Sequence, residues 1–134
     1  MFEKNLKEFT LNETVYPYKC DMVVLEKIQT EVGDLVEAED KLRGFVPKID
    51  ADGVYDRTTG RFTLPDVKLV CQCLIWMIEE GIEIAESDIK PPTDKELKQQ
   101  DEYTINGLAL IAFTEFEECV AGKKSQKKRE SPKK

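Results

Sequence analysis

Histidine is absent from this chain of 134 residues. Its absence excludes the Ser–His and Cys–His pairs of nucleophilic catalysis, and it excludes zinc sites that need an imidazole ligand. A glycine-rich phosphate loop is missing too, because Gly53, Gly60 and Gly81 each stand alone. Acid pairs such as Glu79-Glu80 are more typical of a solvated helix edge than of general acid–base catalysis. We therefore expect a protein that is not an enzyme and that has no catalytic residue, metal ion or cofactor.

Long hydrophobic runs are missing as well. The longest run, Cys73 to Ile78, has six residues, whereas a membrane-spanning helix needs roughly 20. Residues 1–10 carry several charges and lack the apolar centre of a signal peptide. The sequence therefore predicts a soluble, cytoplasmic protein that does not enter a membrane.

Cysteine is scarce and poorly spaced for metal binding. The four cysteines are Cys20, Cys71, Cys73 and Cys119. Four-thiolate zinc sites usually use pairs of the C-x-x-C type, but the close pair here is of the C-x-C type and lies inside an apolar stretch. In a reducing cytoplasm we expect four free thiols that are buried and inert.

Charge is divided unevenly along the chain, and the division falls at Gly122. Residues 123–134 hold seven basic and one acidic side chain, a net charge of +6, whereas residues 1–122 hold 13 basic and 26 acidic side chains, a net charge of −13. This division predicts one acidic folded domain, 1–122, and a disordered basic tail, 123–134. Because an acidic body repels a phosphate backbone, we do not expect this protein to bind nucleic acid. Residues of the tail that are candidates for contacts with a partner are Lys123, Lys124, Lys127, Lys128 and Arg129.

Two segments have β-type patterns. Polar and apolar residues alternate on both sides of Asn12-Glu13, which predicts a hairpin over Phe9 to Tyr18 whose turn type stays open because glycine is lacking. Phe45 to Leu64 is rich in β-formers punctuated by proline and glycine, which predicts a hairpin or a long β-like loop. Within it, Asp50-Ala51-Asp52-Gly53 resembles part of a calcium loop. Because Thr59 takes the position that needs a bidentate Glu, we interpret the segment as a turn.

The first of three main helices is predicted after the N-terminal hairpin. Asp21 is a suitable N-cap, and apolar residues recur at helical spacing from Met22 onward. Gly33-Asp34 is expected to break this helix. A second piece over Leu35 to Leu42 then ends at Gly44.

The other two main helices lie in the C-terminal half. One follows Pro65 and is apolar almost all round, which is typical of a helix at the centre of a fold or in an interface, and Glu79-Glu80-Gly81 is expected to end it. A polar connector with a short capped helix over Thr93 to Gln100 follows. The last helix is predicted over Ile105 to Val120, with Gly122 as its stop. The expected fold is therefore α+β and mostly helical, with a β-like insert between the first and second main helices.

The order of these segments resembles the small tail assembly chaperones of long-tailed phages and prophages of Gram-positive bacteria. An opening hairpin, Phe9 to Tyr18, leads directly into an amphipathic helix, Asp21 to Val32, that closes with Val32-Gly33-Asp34-Leu35. The central helix ends with an apolar segment before a glycine, Leu74 to Gly81. A polar spacer then leads to one last helix and a charged end. The resemblance covers about residues 8 to 120.

The resemblance implies a non-catalytic function. Proteins of this family bind the tape measure protein and tail tube subunits in the bacterial cytoplasm, and they leave before the virion is complete. In this family a longer form often arises by ribosomal frameshifting near the C-terminus. Gly122-Lys123-Lys124 is where such a slip would fall in this chain, at the point where the charge reverses.

A client surface follows from the same interpretation. A tape measure protein is a long helical chain whose apolar seam needs shielding, and a helical partner covers such a seam through an apolar groove. The residues expected to form this surface are Trp76, Met77, Phe113 and Phe116. Taken alone, Trp76 is more typical of a core residue than of a stacking platform. An exposed apolar helix surface also predicts a homo-oligomer in the absence of client.

The competing interpretation is an acidic adaptor or regulatory domain. In that case the acidic face engages a basic partner such as a DNA-binding protein, and attraction between opposite charges supplies the specificity. Gene neighbourhood distinguishes the two interpretations. A chaperone gene lies between those for a major tail protein and a very long helical protein, whereas a regulator gene lies beside that of a repressor.

Overall fold

A computed structural model describes residues 6–122, apart from the side chains of Tyr55 and Arg57. Over this range the chain is α+β and mostly helical, as the sequence predicts. The elements are β1 (Lys7–Leu11), β2 (Thr14–Tyr18), α1 (Met22–Val32), α2 (Leu35–Arg43), β3 (Phe45–Ile49), β4 (Tyr55–Phe62), α3 (Val67–Ala85), α4 (Asp94–Lys98) and α5 (Ile105–Ala121). The basic tail, with Lys123, Lys124, Lys127, Lys128 and Arg129, lies outside the described residues.

The predicted N-terminal hairpin is confirmed. Strands β1 and β2 pair antiparallel, and Asn12 and Glu13 both have positive φ, at 53° and 68°. Two consecutive left-handed residues form the turn whose twist matches that of the strands, and this turn usually contains glycine. Here a neighbouring segment supports it: the Asn12 amide donates to the Glu102 carboxylate at 3.0 Å, and the Tyr103 hydroxyl donates to the Thr10 carbonyl at 2.9 Å. Contacts distant in sequence therefore stabilise this turn.

The boundaries of α1 and α2 also lie where the sequence predicts them. The Asp21 carboxylate accepts hydrogen bonds from the first turn of α1, and Asp34 caps α2 in the same way. Gly33 and Gly44 follow the two helices with left-handed φ values of 98° and 75°. Glycine adopts this conformation without the steric cost that a Cβ brings, so each of the two ends the helix before it.

Helix α3 is longer than the sequence predicts. It passes through Glu79-Glu80-Gly81 and ends at Ala85, followed by Glu86 as a C-cap with a φ of 54°, so the predicted end was wrong. Gly81 faces the backbone of β2, and a Cβ at this position would collide with the carbonyl group of Pro17. The glycine therefore permits close packing of β2 on α3 and does not stop the helix.

Helix α3 lies at the centre of the core, in agreement with its apolar composition. It packs against β2, α1, α4 and α5. Its contribution to the core consists of Leu69, Val70, Cys71, Cys73, Leu74, Ile75, Met77 and Ile78. The short capped helix predicted in the polar connector is α4, which has a complete capping box formed by Thr93 and Glu96.

The β-like insert is a second hairpin. Strands β3 and β4 pair antiparallel, with Phe45 opposite Phe62. At its tip the Asp50 carboxylate accepts hydrogen bonds from the amides of Asp52 and Val54, each at 2.9 Å, so this segment is the turn that the sequence predicts. The hairpin packs against α2.

Candidate functional site

Two of the four residues expected to form the client surface lie in the core. Met77 and Phe116 are 0% and 1% exposed, so the expectation that they contribute to an exposed surface was wrong. Met77 lies on the same side of α3 as its central core residues, and Phe116 lies on the buried side of α5. Trp76 and Phe113 are half-buried and pack against the edge of the core.

Trp76 lies in a shallow groove between α1 and α3. The groove has a volume of about 310 Å³ and is lined by Trp76, by the apolar side chain of Val23 and by Glu26, Lys27, Thr30 and Glu31. Phe113 is not part of this lining. Most of the residues that line it are polar or charged, although the surface they present to the groove is mainly apolar.

A larger groove, with more apolar surface in total, lies between α2 and β3. Its volume is about 480 Å³. Its apolar lining consists of Val36 on α2 and Phe45, Val46, Pro47 and Ile49 on β3. We call it the α2–β3 groove. The second hairpin has only two strands and packs one side on α2, so its other apolar side chains remain uncovered.

Exposed apolar side chains are concentrated around the α2–β3 groove. Within residues 6–122, seven of the twelve large apolar side chains that are exposed lie on α2, on the second hairpin or just after it. They are Val36, Val46, Ile49, Val54, Phe62, Leu64 and Val67. Phe62 is 72% exposed and Leu64 67%. The Phe62 ring lies 5.3 Å from the ring of Phe45, which is buried, so Phe62 is an exposed apolar side chain beside a residue that lines the groove.

The edge of the α2–β3 groove is acidic. Asp34, Glu37, Asp40 and Lys41 line it. Asp40 is buried and is paired with Arg43, whose Nη2 lies 3.4 Å from its Oδ1. Lys41 is engaged by carboxylates on both sides, with its Nζ 3.8 Å from Glu37 Oε2 and 3.8 Å from Asp66 Oδ2. The groove therefore combines an apolar floor with a negatively charged rim.

The sequence contained a signal for this groove that we did not use. The apolar residues of the insert, such as Val46, Ile49 and Phe62, exceed what one face of a two-stranded hairpin can bury. An apolar excess of this kind indicates either a larger sheet or a partner surface. The contribution of Val36 on α2 is not readable from sequence, because it depends on how the hairpin folds back.

One buried charge cluster joins the first hairpin to α5. The Lys7 ammonium lies 3.0 Å from Glu115 Oε1 and 3.0 Å from Glu118 Oε1, and the Cys20 amide donates to Glu115 Oε2 at 3.0 Å. Burial lowers the pKa of Lys7, but its hydrogen bonds to Glu118 and Glu115 outweigh that effect and raise it above its usual value. A permanently charged lysine held by two carboxylates stabilises the fold and is unsuited to proton transfer.

The carboxyl groups of Glu80 and Asp21 interact at the start of α1. A hydrogen bond with Asp21, partial burial and the Asp21 charge together raise the pKa of Glu80 to about 7, and Glu83 adds to the effect. Lys27 opposes it. The Glu80 carboxyl group therefore retains its proton up to near-neutral pH and donates it in the hydrogen bond to the N-cap of α1.

The four cysteines are all free. Cys20, Cys71 and Cys73 are buried as predicted, whereas Cys119 is only half-buried. Burial raises the pKa of each thiol, and that of Cys73 reaches about 12. Because the thiolate is the reactive form, these cysteines are poor nucleophiles at neutral pH. Within the described residues, acidic and cysteine side chains form no group of three or more suited to a metal ion.

Over residues 6–122, no helix combines the length and the apolar content that crossing a bilayer requires. No family model, curated protein or solved structure matches this chain.

Proposed function

We propose that this protein is a non-catalytic phage tail assembly chaperone that binds the tape measure protein and keeps it in solution while the tail is built. The observation that carries the proposal is the group of exposed apolar side chains in the α2–β3 groove and on the second hairpin, on a chain whose residues 1–122 have a net charge of −13. The order of hairpin, helices and spacer, which resembles that of these chaperones, supports it.

The combination of an apolar surface and an acidic body suits a chaperone. Exposed apolar side chains cover those of the client, and the charge keeps the complex soluble by repulsion between complexes. Self-association in the absence of client belongs to the same proposal, because an uncovered apolar surface of one copy can contact that of another. Such contacts strengthen with salt, since salt screens the repulsion between acidic bodies.

The proposal places the protein in the bacterial host cytoplasm, outside the finished virion, with tail tube subunits as further partners. A longer form made by frameshifting at Gly122-Lys123-Lys124 belongs to it as well. The gene tests this last part directly. Codons without a repeated-A slip site, and the absence of an overlapping downstream frame, would rule the longer form out.

Co-expression tests the main proposal. We expect the tape measure protein from the neighbouring gene to move into the soluble fraction when this chain is produced with it, and to copurify with it. An unrelated acidic protein of similar size is the control, because it supplies charge without the apolar surface. If the tape measure protein is equally soluble with the control, the chaperone function is wrong.

The second candidate is an acidic adaptor domain for a basic partner. The excess of acid over base in the body favours it, and so does the acidic rim of the α2–β3 groove. An adaptor held by charge alone should release its partner as salt rises, because surface ion pairs are screened. A chaperone that covers an apolar seam should retain much of its client under the same conditions.

A further inference from the structure

We propose that the α2–β3 groove is the client site and that its occupant is an amphipathic helix with one apolar face and basic flanks. This inference rests on the proposed function and specifies which surface and which client feature it uses. It differs from the expectation drawn from the sequence, which centred the surface on Trp76 and Phe113.

The apolar floor of the α2–β3 groove favours an elongated polypeptide as its occupant. Val36, Val46 and Ile49 line the groove and are exposed. The exposed ring of Phe62 lies 5.3 Å from the ring of buried Phe45, which also lines the groove. The surface therefore extends beyond the groove along the hairpin. A small molecule in the groove would leave Phe62 and Leu64 uncovered, whereas an elongated polypeptide can cover the whole surface.

The length of the groove wall formed by α2 suits a short helix. Helix α2 has nine residues, which corresponds to a length of about 13 Å. A partner helix lying along it would place about three apolar anchors over the floor, at the i, i+3 or i+4 and i+7 positions. Binding of a helix in a groove in this manner requires no free strand edge on this protein.

The charge at the rim of the groove favours an occupant with basic residues. Asp34 and Glu37 are the exposed acids at the rim, since Asp40 is buried and paired with Arg43. The cation Lys41 is already held between Glu37 and Asp66, each at 3.8 Å. Basic residues that flank the apolar face of a client helix would meet these acids. A second copy of this chain is the less favourable occupant, because it would bring the same acidic rim and a net charge of −7 to the contact.

The Trp76 groove is the competing surface and serves as the internal control. It is smaller, and four of its six lining residues are polar or charged, including the cation Lys27. Because Trp76 is the single tryptophan of the chain, its fluorescence reports on events in that groove. The α2–β3 groove contains no tryptophan.

The experiment uses the full chain and a synthetic peptide without tryptophan. The peptide is about 18 residues long, with Leu on one helical face and Lys on the other. An isomer of identical composition, whose order places Leu on all sides of the helix, is the control for unspecific charge attraction. We measure affinity by titration calorimetry, and we follow Trp76 emission in parallel.

A matched pair of double variants locates the binding site. Val36→Ser with Ile49→Ser removes apolar floor from the α2–β3 groove, and Val23→Ser with Leu110→Ser removes side chains of similar exposure elsewhere. We expect the first pair to weaken peptide binding at least about tenfold, since buried apolar area at the centre of an interface is lost. The second pair should change it less than about twofold.

Glu37→Gln is an independent variant that tests the rim. Glu37 is exposed, so the fold does not depend on it, and its removal should weaken binding about twofold to fivefold and reduce the salt dependence of the affinity. The circular dichroism of bound peptide should show a helix, and Trp76 emission should stay constant throughout the titration.

Several results would overturn the inference while the proposed function stands. They are equal binding of the two peptides, equal affinity for the two double variants, a peptide bound in extended form, or a change in Trp76 emission. The function is judged separately, by co-expression with the tape measure protein. A Val36→Ser, Ile49→Ser chain that still solubilises this client would refute the site, whereas a wild-type chain that does not would refute the function.

Discussion

The ammonium group of Lys7 lies 3.0 Å from a carboxylate oxygen of Glu115, a residue that is only 4% exposed. Lys7 begins β1 and Glu115 lies in the third turn of α5, so this contact joins the two ends of the described chain. The Cys20 amide satisfies the other oxygen of Glu115. A buried carboxylate with both a cation and an amide donor is stable only while both are present.

Lys7→Met should therefore destabilise the protein. The substitution retains the apolar stem but leaves the negative charge of Glu115 buried with no cation, and we expect a loss of about 2–3 kcal/mol in the free energy of unfolding. Urea denaturation measures it. Lys98→Met is the matched control, since Lys98 forms an exposed pair with Asp94 at 2.8 Å and its loss should change the free energy of unfolding far less. Equal effects of the two substitutions would show that the ion pair between Lys7 and Glu115 does not stabilise the fold more than a surface pair does.

Gly81→Ala should destabilise the protein although alanine is the better helix former. Inside α3, the new Cβ would meet the carbonyl group of Pro17, and relief of that clash requires β2 to move away from the helix. We expect a net loss of about 1–3 kcal/mol by thermal or urea unfolding.

Gly107→Ala is the control for this prediction. Gly107 also lies in a helix, but there a Cβ would find only ordinary contacts, the nearest at 3.4 Å from Thr104 Oγ1. Alanine should stabilise the protein at this position by about 0.5 kcal/mol. If both variants are stabilised, Gly81 does not serve the packing of β2.

Glu80→Gln should alter the dependence of stability on pH. The pKa of Glu80 is raised to about 7 in the folded protein, so the folded state binds more protons than the unfolded state between about pH 4.5 and 7. Stability that depends on Glu80 is therefore present below this range and falls as pH rises through it. Glutamine stays neutral and still donates to Asp21, so the variant should be more stable than wild type at pH 8, by up to about 1 kcal/mol after solvent screening.

The measurement is urea unfolding at several pH values, read as the difference between variant and wild type. Glu79→Gln serves as the control, because Glu79 is an exposed neighbour of Glu80 on the same helix. The result for Glu80→Gln is read against this variant, which also replaces a carboxyl group of α3 by an amide. A flat difference for Glu80→Gln would mean that no proton is shared with Asp21.

The four thiols should differ in their reactivity in a predictable way. Cys20, Cys71 and Cys73 are buried, and burial raises their pKa values, so neither access nor thiolate is available. Cys119 is half-buried. With an aromatic disulfide reagent at pH 8, we expect Cys119 to react first and slowly, and all four thiols to react in denaturant. Cys119→Ser should abolish the native-state reaction, and a fast reaction of this variant would contradict the burial of the other three.

Helix caps and helix-ending glycines show how much of the structure is determined by residues close together in the sequence. Asp21, Asp34 and Gly44 define helix ends through hydrogen bonds and φ values within two or three residues of themselves. Neighbours in sequence are enough to read such features, and they lie where we predicted them. Gly81 has the same residue type as Gly44 but the opposite role, because its role depends on Pro17, which is distant in sequence.

The candidate site shows the same limit more strongly. Trp76 and Met77 are adjacent, yet one lines a groove and the other is sealed in the core. Their apolar character predicted that both would be important, but not which would be accessible. That depends on the rotation of α3 relative to its neighbours, and α3 is apolar on nearly every side.

The sequence alone determined the charge division at Gly122, the period of each helix and the existence of the first hairpin, because these follow from residues close together in the chain. For the second hairpin the sequence left a long β-like loop open as the alternative. The tertiary structure decided which apolar faces are covered. It buried Met77, Phe116 and Glu115, and it left the floor of the α2–β3 groove open. Whether a side chain is buried depends on the neighbouring helices and strands as much as on the residue itself. Those neighbours are fixed only when the elements pack together.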